Sequence, residues 1–213
     1  MSKLLLPENG KPVTLGLSVE PYYERESSLF EAVINGANAG VRMIAGIVAL
    51  LIAVLGLVAL VDLVFSSVGD WLNPLLGTQG RWSLGGLFGY LFYPLTLVLG
   101  VPSSDAGVVS RIIGERVIVT EVASYSDLAV AMEKGLLQNE RSVVITTYAL
   151  CGFAHVASMA IFVGSVCALA PQCTKGIGPV AVRALIAATL ACLMTACVAG
   201  TFFTEGSILL GGS

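Results

Sequence analysis

Glu121 and His155 are the residues of this chain best placed to do chemistry, because each sits in an otherwise apolar stretch. Glu121 lies within Thr120-Glu121-Val122-Ala123-Ser124-Tyr125. His155, the single histidine, lies within Cys151-Gly152-Phe153-Ala154-His155-Val156-Ala157-Ser158. Ionisable groups at membrane depth are expensive and by default mark function. A carboxylate there accepts hydrogen bonds from a substrate hydroxyl, a helix N-terminus or a cation. The competing expectation is a salt bridge from Glu121 to Arg111 or Arg116. An imidazole in hydrocarbon must find a partner for its ring N–H, since an unpaired polar group is heavily penalised there. Ser158 follows at i+3 and shares a helix face with His155, although a lone serine in such a helix usually bonds back to its own backbone. A histidine and serine so spaced could also open a hydrolytic pair. No acid or oxyanion hole accompanies them, so no enzyme is expected.

The remaining polar and sulfur groups carry less. Cys151, Cys167, Cys192 and Cys197 fall in or beside apolar segments with a spacing that suits neither a metal site nor a disulfide framework. They read as small packing residues. Thr146, Thr147, Thr189, Thr195 and Thr201 fit the small-residue helix contacts common in membranes.

The elements that must position Glu121 and His155 follow from composition. Charged residues make up only 12% of the 213-residue chain and hydrophobic residues 56%, against about 25% charged in soluble domains. A net charge of −3 with no basic block gives no support for nucleic-acid binding. A helix needs about 20 apolar residues to cross the hydrocarbon core. Met43–Val61 carries no charge and extends through Phe65; about Val143–Leu169 and Val180–Phe203 give two more spans. Pro179 is expected to open the third, where its missing N–H costs little. The expected fold is an all-α integral membrane protein with three transmembrane helices, at 43–65, 141–169 and 179–204, the second broken at Gly152.

Two further segments are not clean spans. Trp82–Ser104 is interrupted by glycines and Pro94 and is rich in interfacial aromatics, so an interfacial helix is expected over 82–101. Residues 103–135 hold short apolar runs punctuated by Arg111, Glu115, Arg116, Glu121 and Asp127. They predict a re-entrant hairpin of two short helices meeting near Thr120–Ser124. Residues 1–42 form a cytoplasmic N-terminal segment ending in an amphipathic approach, Leu29–Asn38. Lys3, Lys11, Arg25 and Arg42 before the first span, and Lys175 and Arg183 between the last two, put the N-terminus inside. The outer loop carries Arg81, Lys134 and Arg141, and the tail only Glu205. Broken helices, a hairpin and polar groups meeting near the midplane form the general pattern of secondary transporters.

At these motifs the sequence resembles the concentrative nucleoside transporter family. Gly114-Glu115-Arg116-Val117-Ile118-Val119-Thr120-Glu121-Val122-Ala123-Ser124-Tyr125 is similar to the family's G-x-K-x-x-x-N-E-F-V-A-Y. Tyr148-Ala149-Leu150-Cys151-Gly152-Phe153-Ala154-His155-Val156-Ala157-Ser158 is similar to its Y-A-L-C-G-F-A-N-x-x-S. Glu140-Arg141-Ser142 and Leu169-Ala170-Pro171 match its E-R-S and L-A-P, and Ser2–Glu8 resembles the start of its C-terminal half.

The resemblance implies the second half of an inverted-repeat, homotrimeric symporter in the cell (plasma or inner) membrane. Such a protein imports nucleosides down a sodium or proton gradient, with no covalently bound cofactor. Glu121 would bond ribose hydroxyls, Phe153, His155 and Ser158 would contact the nucleoside, and Thr120 would take the place of a hairpin asparagine. The first-span helix would be the scaffold, with Gly46 and Gly56 permitting close packing. Departures cluster at the site. Thr120, Val122, Ser124 and His155 stand where the family has Asn, Phe, Ala and Asn, which implies an altered nucleoside preference or a related ribosyl compound as substrate. Only the second half is matched, so the coupling-ion ligands are expected on a first half, supplied by another chain if this one is a split gene. Alone, the chain is expected not to transport. The alternative is a non-transporting structural or assembly subunit that keeps the fold.

Overall fold

The computed structural model describes residues 1–10, 26–77 and 82–204. Lys11, Arg25, Arg81 and Glu205, used above to argue orientation, lie outside the described residues. Every element among those described is helical: α1 (Ser2–Leu5), α2 (Leu29–Leu76), α3 (Leu84–Val98), α4 (Ser103–Arg116), α5 (Glu121–Glu133), α6 (Glu140–Leu150), α7 (Val156–Leu169) and α8 (Thr174–Thr201), with a short 3-10 turn at Pro171–Cys173 before α8.

The first difference from the sequence reading is the length of α2. The approach segment and the span expected at 43–65 form one continuous helix of 48 residues. At 1.5 Å per residue it is roughly 72 Å long, more than twice the hydrocarbon thickness. Its start is set by Ser28, whose hydroxyl accepts the Glu31 N–H at 3.2 Å, satisfying one of the donors that every helix N-terminus leaves free. Its end is set by Pro74 and by Gly77, which takes the left-handed conformation at φ 64°. Asp62, in the apolar middle of α2, accepts the Leu84 N–H at 2.8 Å and so caps α3. The expected interfacial helix is correspondingly shorter, starting after Ser83.

The second difference is at α8. Pro179 lies inside the helix, which begins at Thr174. Leu29–Leu75 and Pro171–Thr201 are long and apolar enough to cross a membrane by themselves. The middle span of the sequence reading is divided into α6 and α7.

Helices α4 and α5 meet through Val117–Thr120, slightly ahead of the expected tip, and Thr120 is the N-cap residue of α5. The main core joins α3, α4, α6 and α8 through Phe92, Val109, Ile113, Ile145, Leu193 and Ala196. A second cluster, Ile112, Leu128, Ala131 and Leu150, fixes α5 against α4 and α6. Helix α2 stands against α7 where Gly46 and Gly164 meet. A Cβ on Gly164 would lie 3.1 Å from the Gly46 carbonyl oxygen. Gly56, the other glycine expected to pack closely, has nothing within 4 Å of such a Cβ.

Candidate functional site

The site forms where α6 stops and α7 starts. A broken helix leaves carbonyls unpaired on one side and N–H groups on the other. The hairpin supplies partners for both. Tyr125 donates its hydroxyl to the Thr147 carbonyl at 3.0 Å. The Tyr148 carbonyl takes the Cys151 N–H at 3.4 Å. Arg116 donates through Nη1 to the Ala149 carbonyl at 2.5 Å and through Nη2 to the Gly152 carbonyl. Across the break, the Val156 N–H donates to the Val117 carbonyl at 2.9 Å. Gly152 lets α8 approach here: a Cβ on it would fall 2.1 Å from Cys192 Sγ of α8, so the sulfur would have to move.

His155 is the N-cap of α7, and its backbone is extended. Its Nδ1 accepts the Ser158 N–H at 3.1 Å, and Ser158 Oγ accepts the His155 N–H at 2.9 Å. The two residues therefore close a capping box across the break. This fixes the tautomer. Nδ1 is an acceptor, so the neutral ring carries its proton on Nε2. Nε2 faces the Glu121 carboxylate and contacts its Oε2. Glu121 is the first residue of α5, where the helix N-terminus favours negative charge.

Arg111 and Arg116, the alternative partners for Glu121, are engaged elsewhere. Arg111 pairs with Glu115 at 2.9 Å on α4, and Arg116 serves the break. Ser158 behaves as an N3 cap partner, and its hydroxyl also lies 2.6 Å from the His155 carbonyl. Thr146, Thr189, Thr195 and Thr201 each bond back to the carbonyl four residues earlier.

The structure thus brings together Glu121, Phe153, His155 and Ser158. The Phe153 ring stands edge-on to the imidazole with centroids 5.1 Å apart, and edge-on to Phe162 at 6.1 Å. His155 is only 1% exposed while Phe153 is 45% exposed. The Glu121 side chain is 30% exposed. The arrangement offers a part-exposed carboxylate in contact with a buried imidazole, and an open aromatic ring edge-on to that imidazole. Thr120 makes no side-chain cap bond to α5 and is exposed. Phe153 and Ser158 also border an apolar groove of about 320 Å³ between α7 and α8, with Phe162, Val163 and Ala184. A larger cleft of about 1140 Å³ between α2, α3 and α4 contains none of these residues; its Arg111 and Glu115 pair with each other.

Sequence reasoning missed two buried charges. Arg116 is 1% exposed, and it was weighed only as a partner for Glu121. Asp105 is fully buried at the start of α4, where it accepts the Gln138 and Asn139 N–H groups at 3.1 and 3.0 Å and ties the hairpin base to α6. The available signal was the rarity of charge in this chain: each one in an apolar segment needs a partner.

Residues 1–200 match the family model described as Na+ dependent nucleoside transporter C-terminus. The chain belongs to that family. Among the relatives of this nucleoside transporter family chain is human solute carrier family 28 member 3, 35% identical over 213 residues, covering 93% of this chain and 30% of the relative. The nucleoside permease NupC of Helicobacter pylori is 32% identical over 203 residues, covering 94% and 47%. A variant of CNTnw solved in an outward-facing state superposes with a TM-score of 0.78 at 30% identity, covering 87% of this chain and 45% of that one. CNTnw in an inward-facing substrate-bound state superposes at 0.60. The chain spans less than half the length of each of these relatives.

Proposed function

We propose that this chain forms one face of the substrate site of a nucleoside symporter in a cell membrane. The observation that carries the reading is the Glu121–His155 contact at the junction of hairpin and helix break, with Phe153 open beside it. An ionised carboxylate accepts hydroxyl donors, and Glu121 is the group that would bind sugar hydroxyls. Phe153 offers a face for a flat ring. His155 and Ser158 set the position of both, and Thr120 lies at the mouth of the site. The reading is supported by family membership and by relatives that are named as transporters of nucleosides; it leaves the assembly-subunit alternative without a supporting observation.

In this proposal α4 and α5 enter the membrane as a re-entrant hairpin, α6 and α7 form one broken span, and the N-terminus faces the cytoplasm. Transport is coupled to sodium, as the family description suggests, or to protons. The coupling-ion ligands and the opposite face of the site come from a unit equivalent to the part of the relatives that this chain does not match. The assembly is a homotrimer.

The test is equilibrium binding of radiolabelled uridine to the chain in lipid nanodiscs, co-assembled with such a unit. Glu121→Gln is expected to weaken binding about tenfold or more, because a charge-assisted hydrogen bond becomes a neutral one. Unchanged affinity in Glu121→Gln would remove Glu121 from the site.

A further inference from the structure

Arg116 is the largest fully buried side chain among the described residues, and no salt bridge to it is formed among them. A guanidinium so placed must be compensated by hydrogen bonds. Its two terminal nitrogens reach the Ala149 and Gly152 carbonyls, which lie on either side of the helix stop. Nη2 also lies 3.5 Å from Cys192 Sγ on α8. One side chain on α4 therefore touches the end of α6, the break itself and α8. The negative end of the α6 dipole points at the same place.

We infer that Arg116 is the positioning residue of this site: it holds the break at residues 149–152 against the hairpin, and so sets Phe153, His155 and Glu121 relative to one another. The stretch it grips leads directly into Phe153 and His155. The backbone after it, at Val117, takes the Val156 N–H, so both sides of the break are referred to the same point of the hairpin. Glu121 follows at the start of α5. A planar fork is needed to hold two carbonyls at once. An ammonium at this position would reach one of them, and an apolar side chain neither. Arg116 sits behind the site and is not required to touch a ligand.

The inference rests on the nucleoside reading for its ligand but can be tested without one. His155 is the single histidine, so the full chain prepared with 15N-histidine and a non-histidine tag gives one imidazole signal pair. The wild-type chain in nanodiscs is expected to show an Nε2-protonated ring with Nδ1 as acceptor. Arg116→Met is expected to keep its helical content and elution volume while the imidazole moves to a mixture of tautomers. Arg116→Lys is expected to lie between the two. In the co-assembled form, uridine Kd is expected to rise about tenfold in Arg116→Met and less in Arg116→Lys, on the scale of one misplaced hydrogen bond. A lower binding capacity at unchanged Kd would mean a smaller folded fraction and would overturn the positioning role. So would a folded Arg116→Met with the wild-type imidazole spectrum, or failure of both variants to fold. If the wild-type chain binds no uridine, the nucleoside reading fails, and the imidazole signals still decide the role of Arg116.

Discussion

At the scale of single residues, the departure at His155 has a definite chemical consequence. In the tautomer that the Nδ1 cap requires, the imidazole has one N–H, on the buried Nε2 that contacts Glu121 Oε2. No ring donor is left for a ligand. An asparagine at the same position can accept the Ser158 N–H through its carbonyl and still offer two N–H groups. It is also among the best N-cap residues. His155→Asn is therefore expected to keep the α7 cap. One amide N–H would face Glu121 and one would be free for the ligand. Uridine affinity is expected to rise about fivefold to tenfold, the yield of one added hydrogen bond, as read by titration calorimetry on the co-assembled protein. A fall in affinity would mean that the imidazole itself contacts the ligand. That Glu121 and His155 each need a partner was legible in the sequence, but not that they meet: the ion-pair partners it offered for Glu121 were Arg111 and Arg116, which the structure engages elsewhere. The capping box was less legible. His is a poor N-cap by type, and only the extended backbone at His155 lets its Nδ1 reach the Ser158 N–H.

At the scale of elements, the break in the middle span was legible and its cause was only half so. Gly152 marks the place, but the reason for a glycine is the neighbouring helix, which sequence order does not reveal. A Cβ added there meets Cys192 Sγ at 2.1 Å and Cys192 Cβ at 3.7 Å. Gly152→Ala is expected to destabilise the fold by about 1–3 kcal/mol through overpacking. Cys192→Ala removes the colliding sulfur and leaves an ordinary contact, so the double variant is expected to recover most of the loss. Thermal unfolding of the two single variants and the double variant, taken as a cycle, measures that coupling. Additive effects would show that Gly152 is needed for some other reason. The helix bounds were less legible. Polar Glu31 and Asn35 suggested a separate approach segment, yet polar residues do not by themselves interrupt a helix, and both lie within α2. Ser28-Leu29-Phe30-Glu31 has the form of a helix start, and Ser28 caps α2 there. Pro179 misled in the same way: it marks a tolerated position near a helix start, and the chain was already helical from Thr174.

At the scale of the whole molecule, the described chain presents apolar surface that water alone would not stabilise. No residue in the most apolar window of α2 is buried against the rest of the chain, and Ile52, Leu57 and Val64 are among its exposed side chains. Contiguous apolar area of this kind calls for lipid or a protein partner. The site has the same incompleteness on a smaller scale. Phe153 and Val122 are open, with Val122 at 72%, and Glu121 is part-exposed, whereas ligand sites bury most of a small molecule's surface. A carrier must also alternate access around such a site, which takes a second rigid body to move against. In the proposed site the described helices would supply one wall and the groups that shape it. Membranes containing this chain alone are therefore expected to show no gradient-driven uridine uptake above empty vesicles. Co-assembly with a unit equivalent to the unmatched part of the relatives is expected to restore it, and Glu121→Gln to abolish it again. Robust uptake by the single chain, sensitive to Glu121→Gln, would mean that copies of this chain complete one another's site.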